Sequence, residues 1–312
     1  MMKGMLLNCL LLLLVSLPVR SQYAPFPNSR VAEVDGLGIH YRHWAARGEV
    51  FRGSVLMVHG FAGSTFSWQE VADSLMTLGY ELVAVDMPPF GYSDKSPRIN
   101  QSITAHAIRL HRFIHQEFPG RQWHLAGHSM GGAVSQAYAL MYPGDLESVT
   151  FVAAALFAEL PRGEHQVNFL LRLSPLRFIA GELAETWFIT EKRVEGLLAS
   201  AYGMAPDPGQ VRAYLDALLV PGTARAILSA PAYHQEKKKL EAAELAVPSL
   251  AIWGEADTWV PLAGRRNILE RMPGTKLLVM EGVGHNPMET HPEAFISAWL
   301  DFLDGISQRK EG

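Results

Sequence analysis

The 312-residue chain holds a single cysteine, Cys9, inside an N-terminal segment expected to be removed on export. A mature chain without thiols excludes disulfide scaffolding, thiol catalysis and cysteine metal centres, so the fold must rest on its core alone. Long apolar runs are equally scarce. The run from Met5 to Leu17, broken by Asn8, falls short of the ~20 residues that a membrane-crossing helix needs. Lys3 precedes it, Pro18 ends it, and Val19 and Ser21 suit a cleavage point before Gln22, so residues 1–21 read as a secretory signal. The expectation is a secreted or periplasmic protein with no stable membrane span after cleavage; an uncleaved N-terminal anchor is the alternative. Blocks of one charge are missing too. Lysine and arginine total 27 against 31 acidic residues, a net charge of -4 with interspersed signs, which argues against a nucleic-acid partner. The one cationic run, Lys237 to Lys239, is expected to be a solvated helix face. Internal repeats and low-complexity tracts are absent.

With 48% hydrophobic and 19% charged residues, the chain has enough apolar material for one large core. Val31 to Val34, the turn Asp35-Gly36 and Ile39 to Trp44 read as an opening hairpin. Gly36 and Gly38 are turn glycines there, because no strand-to-helix crossover follows them as a phosphate loop would require. Strands then alternate with helices. The pattern places strands at Ser54 to Val58, Glu81 to Val85, Gln122 to Ala126 and Ser148 to Val152, with helices near Trp68 to Leu78 and Ile103 to Phe118. A further helical pattern runs from Ala133 to Met141. Such alternation implies an α/β fold: a mostly parallel, doubly wound sheet with helices on both faces. Between about residues 156 and 245 strand signals vanish and short helical patterns replace them, for example Val211, Tyr214, Leu215, Leu218 and Leu219. This segment is expected to be an inserted helical cap, with residues 22–155 and 246–312 forming the core. The sheet resumes with Pro248 to Trp253 and Lys276 to Met280, separated by a helix near Arg265 to Arg271 and closed by one from Pro292 to Phe302.

The most informative stretch is Leu125-Ala126-Gly127-His128-Ser129-Met130-Gly131-Gly132, a buried strand running into a helix with a glycine-flanked serine at the turn. This is the setting of a nucleophile elbow, in which Gly127 and Gly131 relieve crowding around a strained serine backbone. A serine hydroxyl needs a base within reach and a carboxylate to hold that base's tautomer, and in this fold the chain order runs serine, acid, histidine. Trp253-Gly254-Glu255-Ala256-Asp257 puts Asp257 just after one strand, and Gly282-Val283-Gly284-His285 puts His285 just after the next. Both loops leave the carboxyl edge of the sheet, where Ser129 sits and where open parallel sheets bind ligands. Glu255 competes with Asp257 for the acid's place. His285 competes with His291, which sits at a helix start, and with His128, which adjoins the serine and cannot fold back onto it. His111 and His115 share a helix face where a metal could in principle bind, but the sequence indicates no third ligand, so a surface pair is the reading. Two backbone amides should receive the oxyanion: Met130, after the nucleophile, and Phe61, in the loop that leaves an earlier strand through His59-Gly60.

These residues together resemble the α/β-hydrolase family, serine-nucleophile branch, over Val31 to Phe302. The likeness rests on His59-Gly60-Phe61, the run Asp86-Met87-Pro88-Pro89-Phe90-Gly91-Tyr92-Ser93, the elbow at Ser129, Trp253-Gly254 with Asp257, and Gly284-His285. It implies an esterase or lipase-like enzyme with Ser129, Asp257 and His285 as catalytic triad and no metal or organic cofactor. Asp86 belongs to a structural turn in that family. Pro89 departs from the usual glycine, which is expected to alter the local backbone and leave the chemistry intact. Serine at the elbow sets the chain apart from dehalogenases and epoxide hydrolases, which carry aspartate there. Carbon–carbon hydrolases share the triad, but many carry asparagine before the serine and tryptophan after the histidine, where this chain has His128 and Asn286. The expected substrate is a small-molecule ester with a small or medium apolar acyl group, received in a pocket lined by the cap's leucines, phenylalanines, tyrosines and Trp187. Lactonases, lipases, peptidases and a slow-turnover binding or signalling protein of the same fold stand as alternatives.

Overall fold

The computed structural model of the chain describes residues 24–164 and 187–311. The signal reading over residues 1–21 and part of the 156–245 segment lie outside the described residues. Central sequence runs that are apolar without interruption become strands buried on both faces, as parallel strands must be when helices cover each side, whereas the edge run Lys276 to Met280 stays partly exposed. Eight strands make one sheet: β1 (Ser29–Val34), β2 (Leu37–Trp44), β3 (Gly53–Val58), β4 (Tyr80–Val85), β5 (Trp123–His128), β6 (Leu146–Val152), β7 (Ser249–Gly254) and β8 (Lys276–Met280). Their spatial order is β1-β2-β4-β3-β5-β6-β7-β8. β1 and β4 run antiparallel to β2, and every other pairing is parallel.

Side chains alternate across the sheet with a period of two, and this splits the core into two layers. Leu56, Val58, Leu125, Phe151 and Trp253 point to one face, where they pack with Phe113 of α2 (Ile103–Glu117) and Val134 and Tyr138 of α3 (Met130–Met141). On the other face Val55, Met57, Ala126 and Ile252 meet Leu75 of α1 (Gln69–Thr77) and, farther along, Phe295 and Trp299 of the last helix. Trp68, Trp123, Trp253 and Trp299 are all fully buried. Full burial of such side chains stabilises the fold by about 1.5–3 kcal/mol or more each, which is how a chain with a single cysteine holds together without an internal disulfide.

Between β6 and β7 the chain leaves the sheet and builds α4 (Glu191–Tyr202), α5 (Pro208–Leu218) and α6 (Thr223–Tyr233). The sequence pattern shows no strands there, yet two short antiparallel ladders form: Glu159–Leu160 with Leu240–Glu241, and Gly163–Glu164 with Gln235–Glu236. Two-residue strands are too short to leave a period, so only the fold reveals them. They tie the outgoing and returning ends of the excursion together. Lys237 to Lys239 are exposed as expected but follow the second ladder as an irregular segment, not a helix. After β7 the expected helix at Arg265 to Arg271 shrinks to α7 (Arg266–Leu269), hemmed in by Gly264 and Pro273. The chain ends in α8 (Pro287–Thr290) and α9 (Pro292–Glu311). No helix among the described residues is long and apolar enough to cross a membrane.

Candidate active site

β5 delivers Ser129 to the carboxyl edge of the sheet, and α3 starts at the next residue. The turn between them is so tight that Ser129 takes φ 51° and ψ -115°, a conformation that side chains normally avoid. Such strain costs of order 1–3 kcal/mol and persists only where neighbours hold it. Here Ser129 N–H donates to the Val152 carbonyl (3.0 Å), while its own carbonyl accepts from Gly132 (3.0 Å) and Ala155 (2.9 Å). The flanking glycines are required by contact. A Cβ on Gly127 would lie 2.3 Å from the Gly131 carbonyl oxygen, and one on Gly131 would lie 2.4 Å from that of Val58. The Ser129 side chain does not cap α3, and its residue lines a cavity instead.

Asp257 follows β7 and is buried. Its Oδ1 accepts from the backbone amides of Trp259 and Val260, both at 2.9 Å, and its Oδ2 receives His285 Nδ1 at 2.8 Å. A carboxylate in that place fixes the proton on Nδ1, which leaves Nε2 of the imidazole as the basic nitrogen. Glu255 is exposed and accepts from the Gly282 amide (3.1 Å), so the structure brings Asp257 and not its rival to the imidazole. His291 stands exposed beside Thr290.

The backbone of His285 is gripped on both sides, which nothing in the sequence announces. Its N–H donates to the Ala201 carbonyl of α4 (2.6 Å), and its carbonyl accepts from His128 Nε2 (2.9 Å). Burial, then the neighbouring His285, push the His128 imidazole well below its ordinary pKa, so it stays neutral and serves as a hydrogen-bond donor. Gly284 allows the α4 contact, since a Cβ there would lie 2.5 Å from the Tyr202 carbonyl oxygen. The Trp259 ring lies 5.8 Å from the imidazole of His285, nearly parallel to it.

Phe61 lines the same cavity from the loop after β3, and Met130 opens α3 directly after Ser129. Among the described residues, neither backbone amide donates a hydrogen bond. Gly60 sits directly over the nucleophile, where a Cβ would come within 3.1 Å of Ser129 Cβ. The loop is pinned by His59, whose Nε2 accepts from the Met87 amide (3.0 Å) and whose Nδ1–H therefore donates to the Gly60 carbonyl (2.7 Å). Burial lowers the pKa of His59 and keeps it neutral for this task. Asp86, fully buried, accepts from the amides of Thr65 (2.6 Å) and Tyr92 (2.7 Å) and pairs with His40 (2.7 Å), so it stitches the turn at Pro88-Pro89, a cis peptide, to the loop after β3.

A cavity of about 360 Å³ opens above Ser129 and His285, closed on the far side by α4 and α5. Its walls are mainly apolar, from Val194, Leu197, Leu198 and Leu218. Trp187, expected among them, is instead 69% exposed. A second hollow, about 430 Å³, lies at the amino ends of the strands among Glu81, Arg121 and Glu147, far from the serine, histidine and acid.

Glu289 on α8 is the residue that sequence reasoning missed. It is buried and accepts from Tyr202 of α4 (2.9 Å), Tyr214 of α5 (2.7 Å) and Asn286 (2.7 Å), joining the helices over the cavity to the core beneath. Burial pushes its carboxyl above the ordinary 4.5, against the pull of those hydrogen bonds. A folded state that holds this proton more tightly than the unfolded chain gains stability below about pH 4.5 and loses it as pH rises through the folded value. Glu289→Gln removes that loss. Thermal unfolding of both proteins across a pH series should therefore show the variant gaining on wild type as pH rises; parallel curves would mean that Glu289 titrates as it does in the unfolded chain.

The model of the alpha/beta hydrolase fold family matches residues 53–292. Lipase 3 of Moraxella sp. (strain TA144) is 26% identical over 257 residues, covering 81% of this chain and 78% of its own. Monoacylglycerol lipase ABHD6 of Homo sapiens is 26% identical over 265 residues, covering 81% and 76%. Among solved structures, a membrane phospholipase A described as a bacterial virulence factor superposes with a TM-score of 0.69 at 23% identity, over 89% of this chain and 86% of its own.

Proposed function

The chain belongs to the alpha/beta hydrolase fold family, and we propose from that premise that it is a serine hydrolase of carboxylic esters, acting through an acyl-enzyme on Ser129. The observation that carries this reading is one apolar cavity onto which the strained serine and His285, backed by the buried Asp257, both open. In the first step Ser129 Oγ attacks the ester carbonyl while His285 Nε2 takes its proton and then hands it to the leaving alcohol. Asp257 keeps the imidazole in the required tautomer and offsets its transient charge. The amides of Phe61 and Met130 receive the oxyanion, the latter at the positive end of α3. Water activated by His285 then releases the acid. Residues 156–245 act as the cap that supplies the acyl pocket, and residues 1–21 as the signal that sends the protein to the periplasm or outside the cell.

The apolar walls favour a short or medium acyl chain. Each methylene buried there adds about 0.8 kcal/mol, so kcat/KM should climb roughly fourfold per CH₂ until the cavity is full. A series of p-nitrophenyl esters from acetate through octanoate to palmitate tests this: the expected profile rises, peaks before palmitate and falls. Absence of ester turnover across the whole series sinks the proposal, and release of a single equivalent without further cycles would replace it with a slow binding protein.

A further inference from the structure

Far from the cavity, α2 and the turn before β6 bring together three side chains of types that ligate metals. His111 and His115 stand four residues apart on one face of α2, with ring centroids 4.3 Å apart. Both turn a nitrogen onto the same carboxylate: His111 Nδ1 lies 2.8 Å from Asp145 Oδ2 and His115 Nε2 lies 3.1 Å from Asp145 Oδ1. Asp145 is the third ligand that the sequence does not reveal, because it sits thirty residues beyond His115 and arrives only when β5 and α3 have folded. The three donor atoms all fall within 4.8 Å of one another. Ligands bonded to one zinc ion at about 2.0–2.2 Å stand roughly 3.4 Å apart, a few tenths of an ångström wider than the two nitrogen–oxygen contacts and inside the 4.8 Å span.

We propose that His111, His115 and Asp145 form a binding site for a divalent transition-metal ion of the zinc class. Two imidazoles and a carboxylate are the donors such ions prefer, whereas calcium and magnesium ask for oxygen alone. Outer contacts orient this set as metal ligands are usually oriented. The buried Tyr138 hydroxyl donates to Asp145 Oδ2 at 2.6 Å, and the His111 ring stacks on Tyr142 at 3.8 Å and 4°. His115 is the most exposed of the three, its side chain at 52%, so the ion enters from solvent and keeps water on its open positions. Binding places the remaining ring protons on His111 Nε2 and His115 Nδ1, and the ion replaces two hydrogen bonds with three coordinate bonds. Asp145 leads into the amino end of β6, whereas Ser129 follows the carboxyl end of β5. The ion therefore clamps α2 to the α3–β6 turn at the edge opposite the chemistry, as a structural staple.

The full chain, freed of metal by chelation, is titrated with zinc chloride against a chromophoric zinc indicator. His115→Ala tests the site, since this exposed side chain can be removed without loss of fold, and His285→Ala tests for zinc bound at the candidate active site. Wild type and His285→Ala are expected to bind a single saturable equivalent that raises the thermal midpoint, with His115→Ala weaker by roughly tenfold or more. Zinc affinity undiminished in His115→Ala, or no saturable equivalent in wild type, overturns the proposal. Cobalt in place of zinc gives a visible d–d spectrum in wild type, and that spectrum should vanish in His115→Ala.

Discussion

Ser129→Ala should lower kcat on any accepted ester by about 10⁵- to 10⁶-fold, the scale set when a serine hydrolase loses its nucleophile. KM should shift little, because the apolar walls that hold the acyl chain stay in place. The backbone is expected to survive: the bonds that hold residue 129 run through its amide and carbonyl, and alanine bears the same strained φ of 51° that serine does. Activity left over would come from the amides of Phe61 and Met130, the proposed oxyanion donors, which would still favour a tetrahedral oxyanion when water attacks directly. Steady-state kinetics give the size of the loss, and intact mass after treatment with a phosphonate locates it. Wild type should gain one adduct where the variant gains none. A variant that keeps most of its turnover would remove Ser129 from the reaction.

Most of the sheet and the candidate site were legible in the sequence because their signals are local. Each of Ser129, Asp257 and His285 follows a strand within a few residues, next to glycines that the contact distances now explain, and the strands themselves are apolar runs bounded by turns. The elbow helix begins three residues earlier than its apolar spacing suggests, since Met130, Gly131 and Gly132 carry no periodicity. Features that depend on distant pairings were silent. Glu289 meets Tyr202 and Tyr214 across 87 and 75 residues, and Ala201 meets His285 only because α4 folds down over the sheet. His128 was legible as a neighbour of the serine but not as the donor to the His285 carbonyl, a bond spanning 157 residues. Side chains that tie the helices over the cavity to the core, and the histidine to both, thus carry no motif of their own.

Asp257→Asn should cut kcat by about 10⁴-fold with little change in stability, and the reason is specific to how this carboxyl is held. Oδ1 sits between two donors, the amides of Trp259 and Val260 at 2.9 Å each, and only an oxygen can occupy that place. An asparagine must therefore keep its carbonyl there and turn its NH₂ toward His285 Nδ1, at the position where Oδ2 now accepts from that nitrogen at 2.8 Å. Two donors cannot face each other, so the imidazole moves its proton to Nε2 and offers Ser129 a donor where a base is needed. The enzyme would be folded, able to bind ester and unable to accept the serine proton. Phosphonate labelling should slow in step with kcat, while the thermal midpoint stays within a few degrees, as expected for a loss of about 1 kcal/mol. Glu255→Gln serves as the control: its carboxylate touches the Gly282 amide and not the imidazole, so its rates should match wild type within about twofold, a difference of under 0.5 kcal/mol. Should the two variants lose activity equally, the imidazole takes its orientation from something other than the carboxylate beside it.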